Sequence, residues 1–183
     1  VRLVGSEMCI RDRSIHFITS EEGLNMSYKR ITLSTSGISK MIRKLADDNV
    51  KVNLALSLHA ANEELRKKIM PIGKSNTLEE IRDSLKYYFS KTKKKVTYEY
   101  VLLRDVNDSI EDAYQLYKYT KHLSSKVNII EYNTVEGLEF KKSSFEKTEK
   151  FIGYLLKKGV NVSLRRSRGK DINAACGQLA NKN

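Results

Sequence analysis

Five short runs rich in β-branched and aromatic residues alternate with stretches whose apolar residues recur at helical spacing. That alternation limits the folds open to this chain more than any other feature. The runs are Arg30–Ser34 (RITLS), Val52–Leu58 (VNLALSL), Val96–Leu103 (VTYEYVLL), Val127–Tyr132 (VNIIEY) and Val160–Arg165 (VNVSLR). Between them the spacing predicts helices on Ile38, Met41, Ile42 and Leu45, on Leu65 and Ile69 after Asn62, and on Leu78, Ile81, Leu85 and Tyr88. Two more follow, on Ile110, Ala113, Leu116 and Tyr117, and on Phe145, Ile152, Leu155 and Leu156. Capping chemistry marks their ends. Thr77 with Glu80 and Ser143 with Glu146 have capping-box spacing, Asn107-Asp108-Ser109 precedes the fourth helix, and Gly159 stands where the fifth stops. Strands alternating with helices require parallel pairing through crossovers, hence an α/β barrel, whole or partial, or a doubly wound sheet rather than a sandwich.

Parallel α/β folds gather their chemistry at the carboxyl ends of the strands. Here all five exits are polar: Ser34-Thr35-Ser36-Gly37, Ser57-Leu58-His59, Arg104 to Asp108, Asn133, and Arg165-Arg166-Ser167-Arg168-Gly169. Turn and cap chemistry accounts equally well for any one of them. Five on one face, with a histidine and an arginine cluster among them, point to a ligand site. His59 taken alone is either a ligand contact or a satisfied core or capping histidine. Three histidines in the chain, without HxxxH or CxxC spacing, supply no metal site. Cys176 is either a buried small hydrophobe or a thiol whose ionised form is favoured by nearby arginines and a helix start around Asp171. No Gly-rich phosphate loop, nucleophile elbow or Ser/His/Asp set is recognisable.

The chain has 183 residues and a formal net charge of +12, enough for one domain or part of a larger one. Isolated lysine pairs read as solvated surface, but Arg165, Arg166 and Arg168 repel one another unless an anion lies against them, and RNA is the polyanion they suit. Cys9 and Cys176 make no disulfide framework, and no signal peptide or membrane-length apolar run appears, so a reducing cytoplasm is the expected compartment. Residues 1–13 (VRLVGSEMCIRDR) follow neither period, and SEMCIRDR resembles a translated sequencing adaptor. The expected division is a non-native leader over 1–13 and the carboxyl-terminal part of a catalytic domain over 14–183.

The segments ITLSTSG (Ile31–Gly37), LALSLHA (Leu54–Ala60), YEYVLLRDVNDS (Tyr98–Ser109), KVNIIEYN (Lys126–Asn133) and RRSRGKDINAACGQL (Arg165–Leu179) carry a resemblance. In this order and spacing they are similar to the carboxyl-terminal half of the radical S-adenosylmethionine adenine methyltransferases of the RlmN/Cfr type, which methylate a base in 23S rRNA and, in the RlmN branch, tRNA. The resemblance implies a partial (β/α) barrel and a monomer served by an electron donor. It implies that Ser34, Ser57, Leu58, His59 and Asn133 line the S-adenosylmethionine site, and that Cys176 carries the methyl group as S-methylcysteine. By inference from charge, Arg165, Arg166 and Arg168 would face the RNA. It further implies a [4Fe-4S] cluster at which a second S-adenosylmethionine yields the radical that activates this methyl group. The family's CxxxCxxC cluster motif is absent from the chain, so no metal ligand is assigned and the polypeptide alone is expected to be inactive. STSG and RRSRG resemble the branch that modifies carbon 2 of adenine rather than carbon 8. Two rivals stand beside this reading: a noncatalytic RNA-binding module, and a barrel enzyme whose arginines grip a phosphorylated small molecule.

Overall fold

A computed structural model of the chain describes residues 13–133 and 139–166. Residues 13–19 are helical (α1) and a 3-10 turn at Tyr28–Arg30 leads into strand β1, Thr32–Thr35. There follow α2 (Ser39–Asp47), β2 (Asn53–Ser57), α3 (Glu63–Ile69), a 3-10 turn at Pro71–Lys74, and α4 (Leu78–Thr92). Then come β3 (Val96–Leu102), α5 (Ile110–Thr120), β4 (Ser125–Glu131), α6 (Phe145–Lys157) and β5 (Val162–Arg165). The strands form one five-stranded parallel sheet in the order β1-β2-β3-β4-β5. The expected α/β fold is therefore the one formed.

Right-handed crossovers between neighbouring parallel strands, taken always in the same direction, put every crossover helix on one side of the sheet. The burial pattern agrees. Residues level with one another in adjacent parallel strands share a face. The rows Leu33-Leu54-Val96 and Leu56-Tyr98-Val127 pack into one cluster with Ile42, Ile81, Leu85, Tyr88, Leu116 and Phe151 from the helices. β3 shows the alternation most clearly, its residues switching strictly between buried and partly buried. Tyrosines serve in this core because their hydroxyls find carbonyls: the single Tyr88 proton is shared between Val50 O and Val52 O, at 2.9 and 2.7 Å, and Tyr119 donates to Leu78.

Two helix readings need correction in phase. α5 buries Ala113, Leu116, Tyr119 and Thr120 while Ile110 is exposed, and α6 buries Thr148, Phe151 and Leu155 while Phe145 and Leu156 are exposed. The Thr77–Glu80 capping box forms as read. The Ser143–Glu146 box does not: Ser144 caps α6, accepting from the Lys147 N–H, and Ser143 is drawn inward to donate to Asp108 Oδ2 at 2.6 Å. Of the Asn107-Asp108-Ser109 trio only Ser109 caps α5, in a box with Asp112. Gly159 follows the α6 cap with φ +76 and donates to the Leu156 carbonyl.

Candidate functional site

With all strands parallel, their carboxyl ends lie along one edge of the sheet. The face without helices carries a second set of rows: Ser34 level with Ala55 and Thr97, Ser57 level with Glu99, Asn128 and Ser163, and Val101 level with Ile130 and Arg165. Ser34 and Ser57, both expected ligand residues, thus stand on the uncovered face. Leu58 turns the other way into the helix-side core and is fully buried.

His59 sits at the exit of β2 in a γ-turn. Its φ is +56, and the Ala60 N–H reaches back to the Leu58 carbonyl at 2.7 Å, a conformation that strains any residue but glycine. Neighbours hold it there. Glu99 O accepts from the Leu58 and His59 N–H groups, and the Asn107 side chain donates to His59 O at 2.7 Å. The ring Nδ1 accepts from the Val101 N–H at 3.2 Å, so in the neutral ring the proton is on Nε2. Burial, assisted by the Arg66 charge, pushes the imidazole down from its ordinary 6.5 to about 4. At neutral pH His59 is an uncharged hydrogen-bond donor through Nε2, unsuited to the role of a charged anion clamp.

Asn107, read from the sequence as a cap, is fully buried and staples the site instead. Its amide nitrogen donates to His59 O and Val101 O, its Oδ1 accepts from the Leu103 N–H, and its carbonyl accepts from the Tyr100 hydroxyl. The exit of β1 is braced from below in the same manner. Gly37 turns with φ +96 in so little space that a Cβ there would lie 2.9 Å from Ile81 Cδ1. Arg66, 1 % exposed, donates from Nη2 to the Ser36 carbonyl at 2.7 Å, and Asn76 Oδ1 accepts from the Ser39 N–H. Nothing in the sequence separates Arg66 from its neighbours Lys67 and Lys68.

The sequence reading also missed a polar row level with Ser57 on the uncovered face. Ser163 Oγ donates to Asn128 Oδ1 at 2.7 Å, and Asn128 Nδ2 donates to Glu99 Oε1 at 2.9 Å. Glu99 Oε2 is shielded from solvent and has no hydrogen-bond partner. A signal existed, since Glu, Asn and Ser each interrupt a β-rich run, but only the strand register shows that they meet.

Asn133 lies just beyond β4 and is partly buried, while Arg165 closes β5 on the uncovered face and, like Arg166, is exposed. Arg168 and Cys176 fall outside the described residues, as does the expected leader except for Arg13. Among the described residues no group of acidic, histidine or cysteine side chains is arranged to hold a metal, and no helix is long and apolar enough to cross a membrane.

Residues 6–117 match the Radical SAM superfamily. The chain is 55% identical over 170 residues to the "Probable dual-specificity RNA methyltransferase RlmN" of Flavobacterium psychrophilum, covering 93% of this chain and 49% of that protein. It is 51% identical over 170 residues to the protein of the same name from Christiangramia forsetii, covering 93% and 48%. Among solved structures, a radical SAM methyltransferase from Sphaerobacter thermophilus superposes with a TM-score of 0.87 at 38% identity, over 92% of this chain and 49% of that one. The chain spans about half the length of the curated relatives it matches.

Proposed function

This chain belongs to the radical SAM superfamily, and from that premise we propose that it acts as part of an RNA methyltransferase that places a methyl group on carbon 2 of adenine in 23S rRNA and tRNA. The observation that carries the reading is the alignment over 93% of the chain with relatives named as dual-specificity RNA methyltransferases. The strand-exit geometry supports it. A monomer in the cytoplasm, supplied by an electron donor, completes the proposal.

S-adenosylmethionine fits the residues present. Its hydroxyls, amino groups and carboxylate need neutral donors and acceptors on a preformed surface. Ser34 and Ser57 on the uncovered face, His59 with its Nε2 proton and the partly buried Asn133 supply them. When bound, the group supplies an electrophilic methyl. Ser57, His59 and Asn133 bind and orient it, and Asn107 keeps His59 in its strained turn. Cys176 must lose its thiol proton before its sulfur can attack the methyl carbon, because the thiolate and not the thiol is the nucleophile. The methyl group would pass to the Cys176 sulfur as its bond to the sulfonium broke, with S-adenosylhomocysteine as the leaving group. Adenine carbon 2 is itself electrophilic, which is why the methyl group is first taken onto a cysteine.

An iron–sulfur cluster held by three cysteine thiolates does not fit the residues present, since the chain has two cysteines. The polypeptide by itself is therefore inactive. The test is mass spectrometry of RNA incubated with reductant, S-adenosylmethionine and either this chain or a full-length protein containing it. The expected result is 2-methyladenosine with the full-length protein and loss of that product with Cys176→Ala. Product at carbon 8 would overturn the assigned position, and methyladenine formed by this chain alone would overturn its inactivity.

A further inference from the structure

Ser57, Glu99, Asn128 and Ser163 stand level on four neighbouring strands, on the sheet face that no helix covers. The hydrogen bonds among three of them run in one direction. Ser163 has a single hydroxyl proton and gives it to Asn128 Oδ1, which fixes the amide with Nδ2 toward Glu99 Oε1. One carboxylate oxygen is thereby satisfied and the side chain is held still. The other, Oε2, is removed from solvent with no donor to meet it. Leaving a shielded carboxylate oxygen unpaired is costly, and the cost is greater for a charged group.

The chain has no shortage of cations to place there, with 34 Lys and Arg against 22 Asp and Glu. Even so, no ion pair among the described residues includes Glu99. The position relative to the exits is specific. The Glu99 backbone carbonyl accepts from Leu58 and His59, so the side chain rises from the residue that anchors the β2 exit. A fixed acceptor with a spare oxygen, level with the candidate ligand residue Ser57 and beside the His59 turn, is built for a donor that arrives with the ligand.

We propose that Glu99 contacts the bound ligand directly, its Oε2 accepting a hydrogen bond from an ammonium or hydroxyl group of that molecule, with Asn128 and Ser163 as positioning residues. This rests on the reading above, in which the ligand is S-adenosylmethionine, whose α-ammonium and ribose hydroxyls are donors of that class. The network presets the acceptor before binding, so little ordering remains when the donor arrives.

The test measures binding rather than turnover, by calorimetry on the unsubstituted chain, Glu99→Gln and Ser163→Ala, with S-adenosylmethionine and 5′-methylthioadenosine as probes. Methylthioadenosine keeps the ribose but lacks the amino acid. Glu99→Gln should weaken S-adenosylmethionine about tenfold to a hundredfold, the range for a hydrogen bond to a charged group, and Ser163→Ala should weaken it less. Equal weakening for methylthioadenosine assigns the ribose hydroxyls as donors, and weakening confined to S-adenosylmethionine assigns the ammonium. Either result supports the proposal. Without ligand, Glu99→Gln should unfold at the same or a higher temperature. Unchanged affinity with a lowered unfolding temperature would make Glu99 a structural residue and overturn the inference. Failure of the unsubstituted chain to bind either probe would instead overturn the functional reading on which the inference stands.

Discussion

His59 and Gly37 show how single residues set this site. The γ-turn at His59 is held by the Asn107 amide and the Val101 N–H, and burial keeps its imidazole neutral. A histidine that titrates near 6.5 when unfolded but near 4 when folded binds its proton more readily in the unfolded chain. Its contribution to stability is whole above about 6.5 and falls away as the pH drops toward 4, by about 3 kcal/mol in all. Denaturant titrations at pH 7.5 and 5 should show about 2 kcal/mol of that loss, and His59→Gln should flatten it over this interval. Replacing Gly37 by alanine should cost about 2 kcal/mol or more, through both its positive φ and the approach to Ile81, measured as a lowered denaturation midpoint. The glycine in STSG was readable as a turn. The arginine braced beneath it was not, because the depth of Arg66 depends on where α3 packs.

At the scale of elements, periodicity located every helix between the strands but misjudged the phase of two. Ile110 and Phe145, the first residues of α5 and α6, and Leu156 fall on the solvent side, while Leu78, which opens α4, is buried, so position in the helix does not by itself set the phase. The α6 cap was misread for a related reason. Ser143 and Ser144 are equally good caps by type, and the choice falls to Ser144 because Asp108, buried at the β3 exit, takes the other hydroxyl. Ser144→Ala should therefore destabilise by about 1 kcal/mol, whereas Glu146→Gln, outside any capping box, should stay within about 0.5 kcal/mol. Asn107→Ala should cost about 3 kcal/mol or more, since it orphans the Leu103 N–H and two carbonyls in a buried loop. The same variant should weaken S-adenosylmethionine binding by releasing His59, and calorimetry reads that loss directly.

For the whole molecule, the strands were legible because β-branched runs separated by helical spacing have few parallel solutions, and the strand order follows from short crossovers. The layer that holds Glu99, Asn128 and Ser163 was hidden because each residue looks like an isolated polar interruption until the register brings them level. The surplus of positive charge has a measurable outcome as well. If Arg165 and Arg166 meet RNA phosphates, replacing both with alanine should weaken binding at low salt and make the plot of log affinity against log salt shallower by one to two units. An unchanged slope would remove them from the interface. The order of the sheet bears on how the chain folds. Because each strand pairs with the one immediately before it, every step of assembly closes only one crossover, and no strand waits for a partner from the far end. A chain emerging from the ribosome can zip its sheet in the order of synthesis, each finished unit serving as the template on which the next one docks.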